Sequence, residues 1–402
     1  MRTILFMALG ALAASTAACK WTEFDDLSEE TWVSSTEKPD VKSTNYGVAI
    51  QRGNKAGTEG RLAVIGAGQA TFSELVFDAN GDSALPATAL ELNSQFGIGN
   101  LDAQPILLAD PASDAVALVI NAGGNSILVL EGTNGQLNNH QVFVSPSEVN
   151  AATYMLAPGA TMNQTLIAAG DVVAGTFYGT VPNPQPKCKL TDGGNAIQPK
   201  ALGVIRDGAA DDVIAWGGNG KLYRYDGTVF NGCAMMQEPE APAPVATGFT
   251  PSAGSQILAL NGGRILLQGR NNTAGFLQVF DAATLTPVGG SVSFSGLASA
   301  AILDAGTTQY VIAGYPTNIT DGKTAGQVLL FKIGATGLET SPVLTLNDAQ
   351  PEGNQSFGRA VAAMPYHGAN LIAVAADNEI FVYFRANLTD GSQLYGETRQ
   401  GR

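Results

Sequence analysis

Residues 61–71, RLAVIGAGQAT, run an apolar stretch into Gly66-Ala67-Gly68. Glycines placed in this way bring backbone N–H groups up to a pyrophosphate at a helix N-terminus in dinucleotide-binding folds. That chemistry also needs a helix of about three turns after the glycines, then a second strand with an acid near its end. The residues that follow, QATFSELVFDANGD, instead offer one short strand and an Asn-Gly-Asp turn, and Thr71 stands where a third Gly or Ala belongs. Gly66 and Gly68 are therefore expected to be turn residues, and no nucleotide or other cofactor is expected.

Other reactive types are sparse. No G-x-S-x-G pentapeptide offers a nucleophile elbow. DGKT at 321–324 hints at a phosphate loop, but Thr317 falls where the earlier Gly is required, so the string reads as an Asp-Gly hairpin turn. The two histidines, His140 and His367, stand far apart without an H-E-x-x-H pattern, which argues against zinc. No metal site is expected.

Three cysteines remain to be placed. Arg2, the apolar run ILFMALGALAA (4–14) and the small residues STAA before Cys19 form an export signal, too short to span a bilayer as a helix. The segment resembles the lipobox of bacterial lipoproteins, in which the Cys is acylated and becomes the first mature residue. It departs from that pattern at Thr16, where Leu is usual, and an ordinary signal peptide cut after Ala18 is the alternative. By the same resemblance, Lys20 favours outer-membrane retention. Cys188 and Cys233 have no C-x-x-C spacing and no nearby His, so in an exported chain they form a candidate disulfide.

The 402 residues carry a net charge of −14, from 35 acidic and 21 basic side chains, with no basic cluster to meet a phosphate backbone. Nucleic-acid binding is not expected. Charged residues are only 14% of the chain and glycines number 48, a composition of short strands and tight turns.

The elements that must position any site recur along the chain. LAVIGA (62–67), VALVINAGG (116–124), TLIAAG (165–170), DVIAWGG (212–218), RILLQG (264–269), YVIAGYP (310–316) and LIAVAAD (371–377) are alike. Each is followed by a second apolar or aromatic run, from ELVFD (74–78) to EIFVYF (379–384). Each is preceded by a third: YGVAI (46–50), FGIGNL (96–101), AATYML (151–156), ALGVI (201–205), VATGF (245–249), LASAAIL (297–303) and FGRAVAAM (357–364). Fourth strands fall in stretches such as HQVFVSPS (140–147) and SPVLTLND (341–348). Units of this make, ~50 residues apart, match propeller blades. The expected fold is all-β: a seven-bladed β-propeller of four-stranded antiparallel blades. The aromatics Trp216, Tyr223, Tyr225, Phe280, Phe331 and Phe381 sit at strand spacing, as packing between blades requires.

Phe357-Gly358-Arg359-Ala360-Val361 with NLIAVAA and EIFVYF resembles the FG-GAP repeats of the integrin α-subunit propeller, as do Tyr46-Gly47 with Gly66-Ala67, and Phe96-Gly97. The resemblance covers about residues 46–386 and implies extracellular recognition or adhesion. Family members often carry an Asp-x-Asp-x-Asp-Gly calcium loop. Here only Asp207, Asp211 and Asp212 come near it, at the wrong spacing, so calcium is not expected.

The organisation expected is a lipoprotein signal peptide (1–18), a polar tether (19–45) and the propeller (46–402). Ring closure falls either to 30–36 (ETWVSST) or to 392–397 (SQLYGE). The expected function is non-catalytic binding of a protein or glycan by an envelope or surface protein held to the membrane by lipid. One alternative is a lyase or glycosidase acting at the central funnel, with acids drawn from Asp110, Asp211 and Asp304. The other is a structural subunit of an envelope complex.

Overall fold

The computed structural model describes residues 46–400 apart from connecting stretches, of which 178–186, 348–355 and 389–397 are the longest. The export signal, Cys19, the tether with 30–36, Cys233 and the stretch 392–397 lie outside the described residues.

Among the described residues the strands group in chain order into seven four-stranded blades, of which the fifth and sixth join into one nine-stranded sheet, and short accessory strands add to blades 1, 3 and 6. Blade 1 comprises Tyr46–Arg52, Gly60–Gly66, Thr71–Phe77 and Ser83–Ala84. Blade 2 comprises Ile106–Ala109, Ala115–Gly123, Ser126–Thr133 and Gln136–Val144. Blade 3 comprises Val149–Leu156, Asn163–Ala169, Val172–Phe177 and Lys187–Asp192. Pro199–Asp207, Ala210–Gly217, Lys221–Tyr225 and Val245–Ala246 form blade 4. Gln256–Leu260, Arg264–Arg270, Gly275–Asp281 and Pro287–Phe294 form blade 5. Ser299–Ala305, Thr308–Tyr315, Gln327–Gly334 and Leu344–Leu346 form blade 6. Ala360–Tyr366, Ala369–Ala376, Glu379–Arg385 and Thr398–Gln400 form blade 7. Within each blade the four strands pair antiparallel in sequence order. A parallel bridge, Gly289 to Leu338, ties blade 5 to blade 6.

The near-continuous apolar runs have a simple cause. A strand sends alternate side chains to opposite faces, and in this ring both faces of a blade are covered. In blade 7, Leu371, Ala373, Ala375, Ile380 and Val382 pack toward blade 1, whereas Ile372, Val374, Phe381 and Tyr383 pack toward blade 6. Seven interblade cores result, one for each adjacent pair, and the seventh joins blade 7 to Ile50, Leu62, Val64, Leu75 and Phe77 of blade 1. The six aromatics named above are all buried in these cores.

The opening glycine string lies in this scaffold. Gly60–Gly66 pairs antiparallel with Thr71–Phe77, with Gly66 opposite Thr71, while Gly68 lies outside the described residues. The element after the glycines is a strand, where a dinucleotide-binding fold has a helix.

Two first strands differ from the sequence reading. FGIGNL is not the first strand of blade 2: a one-turn helix, Leu92–Phe96, ends at Gly97 in the left-handed conformation, and the strand begins only at Ile106. VATGF is not the first strand of blade 5. Thr247 donates its backbone N–H to the carbonyl of Gly220, which holds Val245–Ala246 on the outside of blade 4 and leaves Gln256–Leu260 to open blade 5.

Ring closure uses no exchange of strands among the described residues. The outer strand of blade 7 is Thr398–Gln400, from the C-terminal end, and all four strands of blade 1 come from the N-terminal side. Side-chain packing joins the two blades, with Tyr366 donating its hydroxyl to the carbonyl of Phe77 at 2.9 Å.

Candidate functional site at one mouth of the channel

The first strand of each blade lies beside that of the next around the ring. These strands run the same way, so the turns that end them gather at one mouth of the channel. Their middles are rich in small apolar residues, as in Ala360–Tyr366 (AVAAMPY) and Ser299–Ala305 (SAAILDA). Charge is confined to the ends.

Arg52 closes the first strand of blade 1 and donates from Nη2 to the carbonyl of Asp110 in blade 2 at 3.3 Å. Burial lowers its pKa, and Asp110, Asp304 and Asp114 act against that shift. Arg52 thus lies within electrostatic reach of acids from blades 2 and 6 at once. Asp110 accepts from Ser113 Oγ at 2.6 Å. Asp304 accepts from Gln309 Nε2 and, at 3.3 Å, from Asn261 Nδ2 of blade 5. Gln309 Oε1 in turn accepts from the Asn261 backbone at 2.8 Å. Asp211 is not part of that group; it pairs with Arg206 Nε at 3.2 Å.

Of the three acids singled out in the sequence, Asp110 and Asp304 accept from neighbouring side chains and Asp211 pairs with an arginine. Among the described residues the exposed rim includes Asp114, Arg206, Asn261, Asp304 and His367. His367 has a positive φ of 45° in the turn that follows Tyr366 and stands edge-on to that ring at 4.5 Å. His140 belongs to the outer strand of blade 2 and does not approach it. Among the described residues no group of three His, Cys, Asp or Glu side chains is placed to hold a metal.

Away from the channel, a strap crosses from blade 4 to blade 3. Met236–Gln237 pairs in parallel with Lys189 and Leu190. Glu238 then accepts from Thr191 Oγ1 at 2.7 Å and from the backbone N–H groups of Gly193 and Gly194, both at 2.8 Å. These bonds, the Thr191 hydroxyl foremost, hold its carboxyl below the usual glutamate range. Cys188 beneath the strap is buried and disulfide-bonded, with Sγ 3.9 Å from the carbonyl oxygen of Val229.

No residue pattern pointed to Arg52 or to Glu238. Arg52 is one polar residue at the end of YGVAIQR, and Glu238 sits in a Pro-rich stretch that reads as a loop. Glu238 meets its partners only where blade 4 packs beside blade 3, and Arg52 comes within reach of Asp304 only across the ring.

No protein-family model matches the chain, and no curated protein matches it. Solved structures do. In the crystal structure of BBS1N in complex with ARL6DN soaked with lead, a chain aligns with a TM-score of 0.55 and 12% identity, covering 91% of this chain and 100% of that one. The mercury-soaked form of that complex aligns with a TM-score of 0.55 and 11% identity, over 90% and 99%. At these identities the likeness concerns the fold, a β-propeller.

Proposed function

We propose that this chain is an exported, lipid-anchored propeller of the bacterial envelope that binds a protein or glycan partner and catalyses no reaction. The observation that carries the reading is the state of the acids at the channel mouth. Asp110, Asp211 and Asp304 each accept a hydrogen bond from a neighbouring donor of the chain, which is how a rigid rim is built. A stiff ring presenting variable turns is a recognition scaffold. The complex of BBS1N with ARL6DN, in which a propeller is crystallised with a partner, supports protein binding. The FG-GAP-like Phe357-Gly358 and Tyr46-Gly47 point the same way.

Export and anchoring rest on the leader and on Cys19 after STAA. The pairing of Cys188 with Cys233 belongs to the same reading: Cys188 is disulfide-bonded and lies against Val229, close in the chain to Cys233.

The test is crosslinking of the tagged full chain in its own envelope, with recovered partners identified by mass. One stoichiometric partner is expected, its recovery falling about tenfold in a chain carrying both Arg206→Glu and Asp304→Lys, since rim charges steer and orient association. Cleavage of a polysaccharide by the purified chain, lost in Asp304→Asn, would overturn the reading. Palmitate labelling that persists in Cys19→Ala would remove the anchor.

A further inference from the structure

The two faces of the ring are unlike. First strands end and second strands begin at the charged mouth; second strands end and third strands begin at the opposite face, where fourth strands also finish. On that opposite face the end of blade 5 is aromatic on both sides. Toward blade 4, the half-buried Phe276 stacks on the half-buried Phe249, with ring centroids 5.0 Å apart. Phe249 itself lies between the Gly220 turn of blade 4 and Gly269 of blade 5. Toward blade 6, Phe294 is 40% exposed and stands edge-on to Tyr315 at 5.4 Å.

Ile319 continues the band. It lies in the connection after Tyr315 and is 68% exposed. The backbone N–H of Asn318 donates to the Tyr315 carbonyl at 3.1 Å, which folds this connection back beside that ring. Phe294 and Ile319 are two of the four large apolar side chains exposed among the described residues, and they share one seam of one face. Exposed apolar side chains gathered in one place mark a surface that meets something else.

We infer that this band rests on the lipid surface, so that the ring stands with its charged mouth turned away from the membrane; the inference rests on the anchored reading proposed above. Three features select lipid. Tyr46 opens the innermost strand of blade 1 at this same face, so residues 20–45 join Cys19 to the ring from this side. An anchored chain meets its own membrane at high effective concentration, so a small apolar contact is enough to orient it. Aromatic and aliphatic side chains sink into the boundary between headgroups and acyl chains. Charge acts in the same sense. The opposite mouth sets Asp110, Asp114, Asp211 and Asp304 against Arg52 and Arg206, and anionic headgroups repel that surplus. Beside the band, Arg270 stands opposite Gly275 in the ladder, and the connection of Ile319 carries one acid and one base, Asp321 and Lys323. The orientation leaves the charged rim open to a partner.

The test uses the acylated full chain in vesicles of phosphatidylethanolamine and phosphatidylglycerol. An environment-sensitive nitrobenzoxadiazole dye is attached, without reductant, to Ile319→Cys or to Thr307→Cys, an exposed rim position at the other end of the same blade. Nitroxide-labelled lipid is expected to quench the dye at 319 at least twofold and to leave the dye at 307 unchanged, with both melting transitions as in the parent chain. Equal quenching at 307 overturns the inference. So does a dye at 319 that shifts to the blue without quenching, because protein and not lipid then covers the band. Palmitate label on the parent chain with no quenching at 319 strikes this inference alone. Absence of that label with quenching at 319 retained strikes the anchor alone.

Discussion

Tyr366 is the residue on which the seam between the last and first blades can be tested most simply. Its hydroxyl and the Phe77 carbonyl lie 289 positions apart and meet only in the closed ring. Tyr366→Phe removes that hydrogen bond, at a cost of about 0.5–1.5 kcal/mol. Urea unfolding should show a lower midpoint with an unchanged slope. Glu238 makes a prediction of a different kind. Its folded pKa lies below the ordinary value of 4.5, held there first by Thr191 and then by the amides of Gly194 and Gly193. A depressed carboxylate stabilises the fold above its unfolded pKa and loses that contribution as pH falls through the folded one. Stability measured from about pH 5 down to 3 should therefore decline less steeply in Glu238→Gln than in the parent chain. Neither residue was legible beforehand: each depends on a partner that is distant in the chain.

Strands were far more legible than single side chains. Period-2 patterns with both faces apolar, as in NLIAVAA, predict a strand buried on two sides, and blade 7 uses both faces. FGIGNL and VATGF misled because their composition is strand-like while their hydrogen bonds are local, to a helix end and to the turn of blade 4. The FG-GAP-like glycines have a physical meaning at two places. Gly358, at φ 92°, brings its carbonyl so close to Gly314 of blade 6 that a Cβ on Gly314 would collide with it, and Gly47, at φ 81°, sits against Ala375 of blade 7. Gly314→Ala must push two blades apart, and a loss of about 1–3 kcal/mol is expected in thermal or urea unfolding. The strap over blade 3 gives a further prediction. Peptide mapping without reductant should recover residues 188 and 233 in one linked fragment, and Cys188→Ser should lower stability by about 2–4 kcal/mol.

For the whole molecule, the decisive feature is closure by packing. Each blade buries both faces only because a seventh core joins blade 7 to blade 1; without it, apolar residues such as Leu371 and Val382 on one side, and Leu62 and Leu75 on the other, would face water. Sevenfold recurrence was readable from the sequence because each blade repeats one strand pattern. The manner of closure was not, since it depends on which short end segment pairs with a strand rather than on any repeat. The mouth of the channel follows from the same geometry: turns scattered from Arg52 to His367 become one charged rim because the first strands run side by side. An experimental density map of the purified chain, viewed down the channel, tests this account most directly. It should show seven sheets with blade 7 against blade 1 and the Tyr366 hydroxyl on the Phe77 carbonyl. Six or eight sheets, or a gap between the first and the last, would contradict it.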